Sequence, residues 1–293
     1  MTNSSGSRAT PEGRRSLRSL LAEPGIIVAP GVADGLMARL VAEAGFQAVY
    51  ATGGAINRSR GLPDLGLTSL EGLCSRVTDI AEASGLPVIV DADSGFGGIL
   101  NIGRTVRALE RAGACALHLQ DSQSPRLAGP DRDNLLGIEA MRRRIAAALA
   151  ARRDPGLLII ARTDASDCLG LTGAIERARA YAEAGADLVY VEHLRSRAEI
   201  EDVARQVRHP MLISLNKGLG DLPSAAELAA LGYKLLTHPA DMQLAAIHAM
   251  RALLAHLAAA GSTEGFEPML PFAERDRIVG QDRARAAERT YFI

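Results

Sequence analysis

Eight short apolar runs, each followed by a stretch of helical period, recur through the chain from residue 25 onward. The runs are GIIVAPG (25–31), AVYATGG (48–54), PVIVDAD (87–93), ALHLQD (116–121), LLIIARTD (157–164), LVYVEH (188–193), MLISLNK (211–217) and KLLTHPAD (234–241). Strands that are apolar at both parities are covered on both faces, as parallel strands are. Eight βα units in one chain point to the α/β class and a closed (β/α)8 TIM barrel. A doubly wound open sheet shares the alternation, and strand number alone does not separate the two. No GxGxxG opens the first helix, which disfavours a dinucleotide-binding sheet. Several helices stop at a glycine (Gly45, Gly85, Gly113, Gly185), as left-handed caps require. The reading divides the chain into a polar, disordered arm over 1–14, a barrel over 15–262, and a helical tail over 263–293. That tail would pack on the barrel or on a neighbouring subunit.

Composition narrows the function. Hydrophobic residues make up 47% of the 293, enough for a large core, and the formal net charge of −1 argues against general nucleic-acid binding. Cys74, Cys115 and Cys168 stand apart without CxxC pairing, which suits a reducing, cytoplasmic compartment and offers no zinc motif. No apolar run looks long enough to cross a membrane. The arm lacks the apolar segment of a signal peptide; a short transit peptide is the alternative for it.

In a barrel, chemistry sits at the carboxyl ends of the strands. Polar residues collect there: Thr52-Gly53-Gly54, Asp91 and Asp93, Gln120 and Asp121, Arg162 with Thr163 and Asp164, Glu192 and His193, Asn216 and Lys217, His238 and Asp241. Any one of them alone is as readily a helix cap or a loop ion pair. Asp91 and Asp93 lie two apart, so on a regular strand they share a face. Adjacent carboxylates repel unless one is protonated or a cation lies between them, and oxygen-only ligation suits magnesium or manganese. Arg162 ends a strand whose preceding residues, LLII, are apolar, where a guanidinium needs an anion. That anion is a substrate carboxylate or phosphonate held bidentately, or an internal partner, Glu192 or Asp164. Thr52-Gly53-Gly54 presents a hydroxyl and backbone N–H groups to a second anion, or is a tight turn.

The motifs APGVADGLMARLVAEAGFQAVYATGG, GLPDLGLTSLEGL, VIVDADSGFGG, IIARTDA and AYAEAGAD resemble those of the isocitrate lyase / phosphoenolpyruvate mutase superfamily, in order and at suitable spacing. The resemblance implies a (β/α)8 barrel, a homotetramer exchanging its eighth helix, Mg2+ (or Mn2+), and an α-oxo acid or its enolate as ligand. By motif it makes Asp91 a metal ligand, with Asp93 reaching the metal through water. It gives a carboxylate to Thr52, Gly53 and Gly54, and the substrate's other anionic end to Arg162. Tyr50, Asp64, Glu192 and Asn216 fall at active-site positions.

Two departures matter. Lyases of this superfamily carry KRCGH after the fourth strand; here PRLAGP (125–130) puts Ala128 at the Cys and Pro130 at the His. It is not the pattern of the mutases either. The second departure is QDS for EDQ or EDK, which puts Gln120 in the metal's outer shell, with one negative charge fewer. The expected function is therefore a Mg-dependent C–C lyase, decarboxylase or hydrolase acting on a small α-oxo or 2-hydroxy di-acid through an enolate. Asp64 or an ordered water would move the proton. Phosphonate P–C chemistry and a non-catalytic small-acid binder are the alternatives.

Overall fold

In the computed structural model, which describes residues 16–123, 134–215 and 220–291, the repeating pattern closes into a ring. β1 (Ile27–Val32), β2 (Val49–Ala51), β3 (Val88–Asp91), β4 (Ala114–Gln120), β5 (Leu158–Thr163), β6 (Leu188–Val191), β7 (Met211–Ser214) and β8 (Tyr233–His238) pair in parallel in that order, and β8 returns to β1. The helices are α1 (Leu17–Leu21), α2 (Gly35–Glu43), α3 (Gly53–Ser59), α4 (Leu70–Ser84), α5 (Ile99–Ala112), α6 (Ile138–Ala151), α7 (Ser166–Glu183), α8 (Arg197–Gln206), α9 (Ala225–Ala230), α10 (Asp241–Ala260), α11 (Phe272–Ile278) and α12 (Gln281–Tyr291). The expected barrel is present, and beyond α10 the chain continues as α11 and α12. The arm over 1–14, the PRLAGP segment with Ala128 and Pro130, and Asn216 with Lys217 lie outside the described residues.

Strand residues alternate between two cores. Tyr50, Ile89, Ala116, Leu158, Ile160, Leu188, Tyr190, Leu212 and Leu235 fill the barrel interior. Their neighbours Val49, Val90, Leu117, Ile159, Val189 and Leu236 face the helices. This is period two on a closed sheet, and it decides which terminal residues reach the mouth. At the amino end, α1 closes the floor: Leu17 and Leu20 are buried in the interior cluster, and Arg18 Nη2 donates to Asp187 Oδ1 at 2.8 Å.

Four local expectations change. β3 ends at Asp91, and Asp93 adopts a left-handed φ of 47°, so the two aspartates do not share a strand face. Asp93 N–H instead donates to Asp91 Oδ1 at 3.1 Å, a side-chain turn that takes the place of the pleat. Residues 53–59 leave β2 as a short helix, α3. Asp241 belongs to the first turn of α10, where Oδ2 lies 3.0 Å from His238 Nδ1. Finally, α10 is long and apolar enough to cross a membrane by length and composition. Sequence inspection misses this because alanines, not a dense run of large residues, carry its hydropathy, with Asp241 and Arg251 its only charges. It is also the barrel's eighth helix, tied to α3 by Gln243 Nε2, which donates to Ala55 O at 3.0 Å.

Candidate active site at the carboxyl mouth of the barrel

The interior parity of the strands carries Tyr50 and Thr52, Asp91, His118 and Gln120, Arg162, Tyr190 and Glu192 toward one end of the barrel. Thr52 is buried and is the N-cap of α3, and Gly53 and Gly54 form its buried first turn. Gly53 lies against Asp91: a Cβ there would be 3.1 Å from Asp91 Oδ2. A Cβ on Gly54 would be 3.0 Å from Asp64 Oδ2 and 2.6 Å from Arg58 Nη1. Asp64, on the loop after α3, therefore reaches the same cradle, with Arg58 Nη2 at 3.8 Å. Asn57 locks this arrangement, its Nδ2 donating to Gly53 O at 3.0 Å and its Oδ1 accepting from Thr68 Oγ1 at 2.6 Å.

Arg162 is 6% exposed and internally engaged. Its Nε donates to Asp164 Oδ1 at 2.6 Å, its Nη1 lies 3.4 Å from Glu192 Oε2, and its guanidinium stands over the Tyr190 ring. Both internal partners foreseen as the alternative to a substrate anion are thus in place. Burial works against the charge, yet Asp164, Glu192 and Asp91 hold the Arg162 pKa well above its ordinary value. Glu192 also accepts a very short hydrogen bond from the Tyr190 hydroxyl.

Tyr50 OH lies 2.8 Å from His118 Nε2, which in turn lies 3.6 Å from Asp91 Oδ1. Burial first, then the charge of Asp91, pushes the Tyr50 pKa far above the usual phenol range. Tyr50 is therefore a neutral phenol at any physiological pH. Gln120 is buried at the end of β4, and its N–H donates to Asp93 O at 2.9 Å, which brings the Asp93 turn against β4. Among the described residues no three of His, Cys, Asp and Glu converge as a metal cluster. The donors that are present, Asp91, Asp93 and Gln120, are all oxygen donors. They fit a hard cation that keeps part of its coordination for water and substrate, as magnesium does.

A family model described as phosphoenolpyruvate phosphomutase matches residues 17–258, most of the chain and all eight strands. The chain belongs to the phosphoenolpyruvate phosphomutase family. Within this family, the probable 2-methylisocitrate lyase 2 of Corynebacterium glutamicum is 40% identical over 255 residues, 86% of this chain and 83% of the relative. The 2,3-dimethylmalate lyase of Eubacterium barkeri is 36% identical, over 94% and 96% of the two chains. Among solved structures, phosphonopyruvate hydrolase in complex with oxalate and Mg++ superposes with a TM-score of 0.88 at 29% identity, covering 94% of this chain and 98% of that one. The superfamily resemblance and the barrel expected from the sequence are both borne out.

Sequence reasoning missed two residues of the mouth. His118 and Tyr190 share interior parity with Gln120 and Glu192, so alternation along ALHLQD and LVYVEH was the available signal. Asp164 is legible at the end of strand five and as one option for pairing Arg162, and the structure makes it the nearest partner of Arg162.

Proposed function

We propose that this family member is a divalent-cation-dependent enzyme that breaks a C–C bond in a small α-oxo or 2-hydroxy di-acid. The carrying observation is the charge balance of the mouth. Asp164, Glu192 and Asp91 surround the buried guanidinium of Arg162, and Asp93 adds a further negative charge near Tyr50. A di-acid entering that excess of carboxylates is repelled unless a cation offsets it. Mg2+ beside Asp91, with Asp93 and Gln120 outside it, would supply that charge and stabilise the negative charge that develops as the bond breaks. The chain's own groups do the rest. Thr52 and the N–H groups of Gly53 and Gly54 orient one carboxylate, and Arg162 orients the distal anion. Tyr50, kept neutral, donates a hydrogen bond and does not act as a base. Asp64, at the lip beside Gly54, would move a proton, and the superfamily resemblance adds Glu192 and Asn216 to the set.

The relatives' names point to 2-methylisocitrate, but Ala128 and Pro130 stand where the superfamily lyases carry Cys and His. General-acid catalysis contributes about 10²–10⁴-fold, so cleavage of isocitrate or 2-methylisocitrate is expected only as a trace. Decarboxylation or hydrolysis of an oxaloacetate-like acid does not need that acid. The test is a panel of α-oxo and 2-hydroxy di-acids with Mg2+, read by pyruvate or CO2 release, with phosphonopyruvate as the P–C arm. Robust glyoxylate or pyruvate release from the isocitrates would overturn the assignment, and turnover unaffected by chelation would remove the metal from it.

We also place the protein in the cytoplasm as a homotetramer exchanging α10. Cys74, Cys115 and Cys168 form no disulfide, which supports the compartment. The assembly is supported by α10, which buries no residue in the single chain and exposes Leu244, Met250 and Leu254.

A further inference from the structure

Behind the mouth, on the helix-facing side of β4 and β5, lies a buried polar cluster that the chemistry above does not use. Asp121 is fully buried. Its Oδ2 accepts from Thr163 Oγ1 at 2.7 Å, Tyr181 OH at 2.7 Å and Arg177 Nη1 at 3.0 Å, and its Oδ1 accepts the Asp164 N–H at 2.9 Å. Four donors match the roughly four acceptor sites of an ionised carboxylate. The Tyr181 pKa is driven upward by burial and then by Asp121, so the phenol remains a donor. Asp121 is thereby a fixed post, and what it fixes is the backbone of Asp164. The Asp164 carboxylate turns back into the mouth. Oδ1 takes Nε of Arg162 at 2.6 Å, and Oδ2 takes Ser122 Oγ at 2.7 Å. Its N–H and both of its oxygens are thus held by three separate residues.

A guanidinium offers a carboxylate two bidentate edges, one containing Nε and one formed by the two terminal nitrogens. Nε is taken by Asp164 at 2.6 Å; the terminal edge, where Nη1 makes only the longer 3.4 Å contact with Glu192 Oε2, is the one a substrate anion would take. We propose that Asp164, steadied by Ser122 and Asp121, is a positioning residue that fixes the Arg162 guanidinium so that its terminal edge meets the distal anion of the substrate. This rests on the reading that Arg162 binds that anion. Two effects of Asp164 oppose each other. As a nearby negative charge it weakens anion binding; as an orienting acceptor it strengthens it. Burial strengthens both effects; the short hydrogen bond from Arg162 Nε makes orientation the larger, and the sign of the mutant effect decides the matter.

The experiment is calorimetry with Mg2+ and two probes. Oxalate carries no distal anion, and 3,3-difluorooxaloacetate carries one. Arg162→Lys tests the underlying reading: it should weaken difluorooxaloacetate selectively, because an ammonium cannot form the fork. Asp164→Asn should weaken the same probe about 10-fold or more and leave oxalate within about twofold, in the range of other outer-partner losses. Ser122→Ala keeps every charge, removes only the hydroxyl of a half-buried side chain, and should weaken the same probe several-fold. Tighter binding of either probe to Asp164→Asn would show that charge dominates and overturn the proposal. Equal loss of both probes, or no loss in Ser122→Ala, would overturn it as well. If Arg162→Lys is selective and the other two variants are not, the positioning role alone fails. If Arg162→Lys is not selective, the anion-binding reading falls and takes the proposal with it.

Discussion

Gly53 and Gly54 are neighbours, yet a methyl group would meet different obstacles at each. At Gly53 it would lie 3.1 Å from Oδ2 and 3.3 Å from Cγ of Asp91, a buried side chain with little room to move. At Gly54 the closest atom, at 2.6 Å, is Nη1 of Arg58, the far end of a half-exposed, flexible side chain. Gly53→Ala is therefore expected to displace Asp91 and weaken Mg2+ binding about 10-fold, whereas Gly54→Ala should stay within about twofold. Titration calorimetry checks this, and equal effects would count against Asp91 as the ligand. On the same assay Asp93→Ala should cost about 10–100-fold, as outer partners do, and Asp91→Ala more. Tyr50→Phe removes a buried hydrogen bond to His118 and should lower unfolding free energy by about 1 kcal/mol, read from the denaturation midpoint. Most mouth residues were legible because VIVDAD and IIARTD end apolar runs in charge. The partners of Asp121 were not, since Thr163, Arg177 and Tyr181 lie 42 to 60 positions away, and no local pattern announces such a pairing.

Among the elements, the eight strands and their partner helices follow from periodicity, because each strand is buried on both faces. α3 was hidden for a related reason. Its Gly-Gly start follows β2 after Thr52 alone, which makes no side-chain cap hydrogen bond, and the close approaches of Asp91 to Gly53 and of Arg58 and Asp64 to Gly54 dictate those glycines more than helix propensity does. α9 offers a prediction of its own. It has six residues and a full capping box, in which Ser224 accepts from the Glu227 N–H and Glu227 accepts from the Ser224 N–H at 2.7 Å. The Glu227 carboxyl is pulled from 4.5 to about 2, first by its hydrogen bond with Arg197, then by the N–H and hydroxyl of Ser224. A carboxyl more acidic in the folded than in the unfolded chain adds stability above its unfolded value, and that stability is lost as the pH falls toward the folded one. Glu227→Gln should therefore lower the melting temperature at pH 7. The gap from the unaltered protein should close between pH 4.5 and about 2. Thermal melts across that range decide it; a gap constant with pH would mean that the carboxylate charge is not what stabilises α9.

For the whole molecule, α10 carries the assembly question. Leu254 is 62% and Met250 54% exposed on a helix with no buried residue. Leu254→Asp should leave the single chain folded and lower the particle mass measured by light scattering. An unaltered protein that runs as a monomer would sink the tetramer. At the opposite end of the barrel, Leu17 and Leu20 seal the floor and Arg18 fastens α1 to Asp187. With the interior filled by side chains and its floor sealed, the described residues leave the mouth as the one doorway. The fragments of a broken substrate must leave by the way the next substrate enters, and the one lodged deeper has to wait for the other. The order of departure is then set by depth in the barrel as well as by affinity. The last fragment out should behave as a competitive inhibitor of the next molecule in.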